Sequence, residues 1–386
     1  MSVVYITNQR GYITKKGKHL LLNVKGQDPC SILTFKLNQM VLVGNVEIST
    51  PAIRHLLYSG VELVFLSYDG RFIGRVVGEL PKNIFLRREQ YRKLEDKTFV
   101  LGMARNLVRG KLKNQLTLLK RIKRTYNPPY LDKILEDFSY LYRLLEKAKT
   151  LNQIRGYEGK GSALFFRGFP MGFRNRNDFR KRVRRPPTDP VNAVLSFCYT
   201  LLMNRIYGAV YAAGLDPYLG SLHTLEYGRP SLILDLMEEF RTIVVETLTL
   251  SLFNLKILSN DDFYLHKPQE KLRLDDIADE PDILKDPIAQ MEVVPRPEEA
   301  TEDIAFEDAD GEDETDWKKE KVYPVRLKED ALKKLLQQFE RKMKTRFYYE
   351  PLGRPIDYQK AIYEQAKQYA KRIKDEIAEY KPLQMQ

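Results

Sequence analysis

The 386-residue sequence predicts an α+β architecture, a small N-terminal β-sandwich followed by a larger all-α part, and two observations carry that prediction. Up to about residue 85, Val, Ile, Leu, Phe and Tyr gather in short runs divided by Gly, Asn and Asp turn signals, the pattern of strands. From Phe85 onward apolar residues recur at three- and four-residue spacing with Arg and Lys on the remaining faces, which is the period of a helix. At roughly 150 residues per domain the length suits two or three domains. Boundaries are expected at 1–85 and 86–386. A content of 43% hydrophobic and 11% aromatic residues is enough for a real core.

The strands are expected at "VVYITN", "YITKKGKHLLLNV", "ILTFKLNQMVLVG", "ELVFLS" and "RFIGRVVG", with turns at "NQRG", "KKGK" and "SYDG". Short strands at this spacing suggest a sandwich. One short helix interrupts them at "STPAIRHLLYSG", with Ser49 or Thr50 as cap, Pro51 in the first turn and Gly60 at the end. The helical part begins with the run from Phe85 to Arg124, and a second run from Tyr130 to Phe166 follows the "NPP" break. "DPVNAVLSFCYTLLMNRIYGAVYAAG" and an apolar helix around 231–257 come next, and two further helices are expected near 326–345 and 356–380.

Between them, residues 267–320 hold 20 Asp/Glu against 7 Lys/Arg, with prolines at 268, 281, 287, 295 and 297. Such a segment buries too little to offset its ordering entropy, so a mobile acidic insertion is expected, either a solvated linker or a competitor for nucleic acid. Its balance of −13 leaves about +25 on the remainder of a chain whose net charge is +12, which calls for a polyanionic partner. The N-terminus lacks the pattern of a signal peptide. No uncharged apolar stretch reaches the roughly 18 residues of a membrane span. Cys30 and Cys198 match no metal or redox spacing. A cytoplasmic protein, without membrane partners, is the expectation.

Four stretches can carry chemistry. In "RGYEGKGSALFF", Glu158 is read at the start of an apolar helix, either complementing its N-terminus or serving a site. In 167–187, Arg167, Arg174, Arg176, Arg180, Arg184 and Arg185 lead a one-signed run with Phe165, Phe166, Phe169, Phe173 and Phe179 interleaved or adjacent. Arg suits bidentate phosphate contact and aromatic interleaving suits nucleic acid. In "TDPVNAVLSF", Thr188 or Asp189 caps a helix with Pro190 at its first position, which places Asn192 in the first turn. In "GLDPYLGSLHTLEYGRPSLILDLMEEFR", His223 follows a turn, and Asp235 and Glu238, three apart, share a helix face, with Glu239 near it. Carboxylates beside Leu232, Leu234, Leu236 and Phe240 need a cation or donor to offset desolvation, whether an arginine or a metal. Taken together, Glu158, His223 and the helix acids form a mixed nitrogen and oxygen set that suits Mg2+ or Mn2+. On a basic helical protein this points to phosphodiester chemistry on DNA or RNA.

The order "YEG", "RRPPTDPVNAVLSF", "GLDPYLGSLH", "YGRPSLILDLMEEFR", with "LQQFERKM" and "YQKAIYEQAKQYAKRI" after the acidic insertion, closely resembles the Cas-one family of CRISPR-associated endonucleases, the CRISPR adaptation integrase. The resemblance implies a homodimer, with residues 1–85 supplying dimerisation and partner contacts, and two dimers bridged by a dimer of the small Cas-two partner. It implies capture of short double-stranded DNA fragments and their insertion into a CRISPR array by attack of a 3′-hydroxyl on a phosphodiester. The family's metal ligands fall on Glu158, His223 and Glu238, with Asp235 assisting; adjacent Glu239 is the competitor for the third position. A metal-dependent nuclease of branched or repair-intermediate DNA is the alternative, and a non-catalytic DNA-binding scaffold a third.

Overall fold

The computed structural model describes residues 2–79, 82–174, 179–183, 186–266 and 323–385. Strand β1 (Ser2–Ile6) pairs in parallel with β5 (Leu37–Val43), β5 in parallel with β7 (Glu62–Leu66), and β8 (Phe72–Val76) closes that sheet antiparallel. A second sheet has the order β4 (Cys30–Leu33), β3 (His19–Asn23), β2 (Gly11–Lys16), β6 (Val46–Ile48). Helix α1 (Thr50–Tyr58) follows, with Ser49 at its cap and Pro51 in its first turn. Met40, Leu42 and Leu63 of the first sheet share a core with Ile13, Leu20 and Leu22 of the second and with Ala52 and Leu56 of α1. The intervening Val41, Val43, Val64 and Leu66 face the other way and join the helical core. Successive side chains of a strand point to opposite faces. A strand covered on both faces therefore has to be apolar without interruption, as "MVLV" and "LVFL" are.

The helical run from Phe85 is two helices rather than one. Asp96 adopts an extended conformation after α2 (Ile84–Glu95) and its carboxylate accepts from the N–H groups of Thr98 and Phe99, starting α3 (Lys97–Tyr126). Helix α4 (Leu131–Glu146) precedes α5 (Leu151–Gly168), which Thr150 and Gln153 open with a reciprocal capping box. Asp189 caps α6 (Pro190–Ala213) with Pro190 at its first position, and Gly214 ends it at φ +80. Helix α6 is long and apolar enough to cross a membrane by length and composition, but most of it is buried in this core. Then come α7 (Ser231–Phe240), a π-helical turn at Arg241–Glu246 and α8 (Thr247–Asn254).

The later part is not wholly helical. Ribbon β9 (Phe263–Leu265) with β10 (Val325–Leu327) and ribbon β11 (Arg346–Tyr349) with β12 (Arg354–Asp357) flank α9 (Glu329–Met343) and precede α10 (Tyr358–Ile373). Leu265 lies opposite Val325, so the chain leaves and re-enters at one place around the acidic segment. That segment, 267–320, lies outside the described residues, as does the expectation about it. Helix α7 runs through the centre, between α3 and α6, with all ten of its residues buried.

Candidate active site

Burial of a whole helix that carries three acids requires each acid to have an answer. The three answers differ. Asp235 accepts from the backbone N–H groups of Ser221, Leu222 (2.9 Å) and His223 (3.0 Å), and from His223 Nδ1 at 2.7 Å. An ionised carboxylate only accepts, so Nδ1 carries the proton and the Nε2 lone pair points the other way, toward Glu238 Oε1 at 4.0 Å. The turn reaches Asp235 because residue 220 is glycine: a Cβ there would meet Asp235 Oδ2 at 2.6 Å.

Glu238, with 0% exposure, faces Lys111 Nζ at 2.7 Å and Arg241 Nε at 3.3 Å. Lys111 also pairs with Glu158, which accepts from Ser162 Oγ at 3.0 Å. Glu158 sits about two turns inside α5 and 4% exposed, so the expectation that it complements a helix N-terminus is wrong. Thr150, eight residues earlier, already starts the helix and moves Glu158 to its middle.

Glu239 turns away, since one residue rotates a helix by about 100°. Its oxygens accept from Tyr380 Oη (2.5 Å), Gln365 Nε2 (2.8 Å) and the Leu383 N–H. Burial nevertheless pushes its carboxyl up to about 7, with those donors pulling the other way. The two neighbours point apart: Glu238 faces Lys111 and His223, and Glu239 faces the C-terminal residues.

Lys111 escaped the sequence reading. It lies on the apolar stripe of α3 with Leu107, Val108 and Leu112, at 2% exposure. A lysine on a buried stripe is the signal that could have found it. Around the corner, Tyr199 donates to Glu246 at 2.5 Å, and Arg182 and Arg241 lie over its ring at 5.4 and 5.0 Å. Burial raises the Glu246 carboxyl above its ordinary range despite Tyr199.

The basic stretch divides. Arg167, Arg174 and Arg180 are exposed, while Arg176, Arg184 and Arg185 lie outside the described residues. Arg182 turns inward to Asn192 Oδ1 (2.9 Å) and Ser196 Oγ (3.0 Å). Asn192 is fully buried and its Nδ2 donates to the Lys181 carbonyl, so it fastens this stretch to α6. The five phenylalanines are no stacking platform. Phe165, Phe169 and Phe179 are buried and pack edge-on or tilted with Phe166 and Phe173 in the core. A helix end and a following loop both need apolar anchors, and these rings supply them.

Among the described residues, no three His, Cys, Asp or Glu side chains already close on one point as a finished metal site does. The donor set nevertheless fits a hard divalent cation. Two buried carboxylates from α5 and α7 converge on one positive charge, and an oriented imidazole lone pair faces the second of them.

The family model for CRISPR associated protein Cas1 matches residues 4–280. The chain belongs to the Cas1 family. A curated relative, CRISPR-associated endonuclease Cas1 3 of Thermus thermophilus, is 28% identical over 387 residues, covering 99% of this chain and 97% of its own. A casposase bound to integration product shares the fold at TM-score 0.75 and 18% identity, covering 100% of this chain and 95% of that one. A chain of a Cas6-RT-Cas1–Cas2 complex does so at TM-score 0.76 and 19% identity, over 100% of this chain and 36% of that one.

Proposed function

We propose that Glu158, His223 and Glu238 hold a divalent cation, Mg2+ or Mn2+, with which this chain acts as the integrase and endonuclease of CRISPR adaptation. Membership of the Cas1 family carries the activity. The metal reading rests on one observation: Glu158 and Glu238, from different helices, converge on the buried ammonium of Lys111, a place built for positive charge. When bound there, a cation neutralises phosphate charge, lowers the pKa of an attacking hydroxyl and stabilises the leaving oxygen.

The chain's own groups do the rest. Asp235 fixes the tautomer of His223 and, through three backbone N–H groups, the loop that carries it. Arg241 offsets part of the charge of Glu238 from one turn further along the chain. The exposed Arg167, Arg174 and Arg180 hold DNA phosphates and read no sequence. A 3′-hydroxyl of the captured fragment attacks a phosphodiester at the repeat boundary; one phosphodiester replaces another, so no ATP is needed. Water in place of that hydroxyl gives cleavage. The N-terminal sheets serve dimerisation, and two dimers are bridged by a dimer of the small Cas2 partner, a reading supported by the fold neighbour from a Cas6-RT-Cas1–Cas2 complex.

The test is strand transfer of a short duplex into a supercoiled repeat plasmid with the partner present. Glu158→Ala, His223→Ala and Glu238→Ala should each abolish transfer while DNA binding persists. Transfer at the wild-type rate by Glu238→Ala, with Glu239→Ala inactive, would overturn the ligand assignment. Cleavage of branched DNA without any transfer would leave the nuclease alone.

A further inference from the structure

Residues Tyr380–Met385 follow α10 without regular structure, yet they are tied down along their length. Tyr380 is 1% and Leu383 7% exposed. Tyr380 Oη and the Leu383 N–H supply two of the three donors to Glu239, and the third, Gln365, also donates to the Lys381 carbonyl at 3.1 Å. On the other side of this segment stands Asn114 of α3. Its Nδ2 donates both to the Glu239 carbonyl and to the Leu383 carbonyl at 2.9 Å, and its Oδ1 accepts from the Met385 N–H at 2.6 Å. Pro382 lies flat on Gly110, where a Cβ would meet the proline Cβ at 2.5 Å.

These interactions fall beside the site on both helices. Asn114 is three residues from Lys111 and Gly110 is its neighbour; Glu239 is the neighbour of Glu238. We propose that the C-terminal segment is a clasp for the catalytic centre: by bolting α3 to α7 at Asn114 and Glu239, it fixes the spacing between Lys111 and Glu238, and Tyr380, Leu383, Asn114 and Glu239 are positioning residues. The inference rests on the site reading above.

The physical reason is the cost of a buried carboxylate. Without the segment, Glu239 keeps one donor of three, and a carboxylate left short of donors in an apolar surround moves toward water. That movement turns α7 at Glu239 and takes the adjoining Glu238 with it. Asn114 simultaneously gives up two of its three partners, so α3 loses its register against α7. Leu107, Val108 and Leu112 of α3 and Ile233, Met237 and Phe240 of α7 meet in one large apolar core, of which Tyr380 and Leu383 are two members among many, so the two helices have packing of their own besides the segment.

The experiment compares the full chain with a chain ending at Glu379 and with Gly110→Ala. The alanine wedges the segment off α3 and removes no hydrogen-bonding group. Three quantities are read: Mn2+ affinity from the electron paramagnetic resonance of free Mn2+, kcat against KM for DNA cleavage, and circular dichroism. Both variants should keep the wild-type spectrum, bind Mn2+ about tenfold more weakly and lose about tenfold in kcat with KM for DNA unchanged. Mn2+ affinity and kcat within twofold of wild type in Gly110→Ala would overturn the clasp, whether or not the truncated chain folds. A wild-type chain that binds no Mn2+ would overturn the metal site instead, and the kcat comparison would still decide the clasp.

Discussion

Replacing Lys111 by methionine keeps the length of the side chain and removes its charge. Glu158, 4% exposed, and Glu238, 0% exposed, would then share a dry site with Arg241 beside Glu238. Removing one partner from a buried ion pair costs about 3–5 kcal/mol, because the remaining charge stays desolvated. In a chain of this size that lowers the melting temperature by roughly 5–10 °C. A divalent cation replaces the missing charge and no longer has to displace an ammonium, so it should bind the variant more tightly. Each tenfold gain in affinity adds about 1.4 kcal/mol of stabilisation at a fixed excess of metal. Thermal unfolding in EDTA and in rising Mn2+ checks this. The variant should be clearly less stable than wild type in EDTA and approach it as Mn2+ saturates. An equal deficit at every Mn2+ concentration, or none in EDTA, would refute the view that Lys111 stands where a metal belongs.

Three further outcomes follow from the same geometry. Asp235→Asn should keep one oxygen for the Ser221 and Leu222 N–H groups and turn its NH2 toward the backbone N–H and Nδ1 of His223, losing the fixed tautomer; strand transfer should fall by more than tenfold with a lowered melting temperature, and an unchanged rate measured at saturating Mn2+ would remove Asp235 from the mechanism. Changing Arg167, Arg174 and Arg180 together to Ala should lower the log–log salt slope of duplex binding by about 0.9 for each phosphate no longer neutralised, equally for all sequences, as filter binding between low and moderate salt would show. Burial, with Arg121 adding repulsion, pushes the Lys342 amine down from 10.5 to about 8. A depressed lysine makes the folded state release its proton first, so stability rises with pH between about 8 and 10.5, and below 8 the folded chain carries the full cost. Lys342→Met, which keeps the stem over the Tyr358 ring, should therefore be the more stable chain at pH 7, by on the order of 2 kcal/mol after discounting for partial exposure, and equal to wild type near pH 10.5. Denaturant melts at the two pH values measure that difference.

Much of this was legible in the linear order of residues. Asp189 before Pro190 marks a helix start through chemistry that is local, since a side-chain oxygen and a fixed φ act within one turn, and at α1 the fixed φ of Pro51 acts without a side-chain bond from Ser49. The unbroken runs of β5 and β7 announced strands, and the spacing of Asp235 and Glu238 placed two acids on one side of α7. What sequence alone left undetermined was direction and depth. Glu158, set among Gly156, Gly159 and Gly161, reads in sequence as standing at the start of an apolar helix. In the fold α5 runs on through them, and Gly161 is the point where it presses closely on Leu112 and Leu141. The phenylalanines of 165–179 have the composition of a nucleic-acid surface and the position of a core, and only the neighbours that cover them distinguish the two. Glu238 and Glu239 are identical in sequence terms; a turn of about 100° sends one to Lys111 and the other to Tyr380. Lys111 itself comes from a helix 47 residues before Glu158 and far from α7 in the chain. The meeting of those three side chains is a property of how α3, α5 and α7 pack, because a buried charge is chosen by partners that only the tertiary structure brings near.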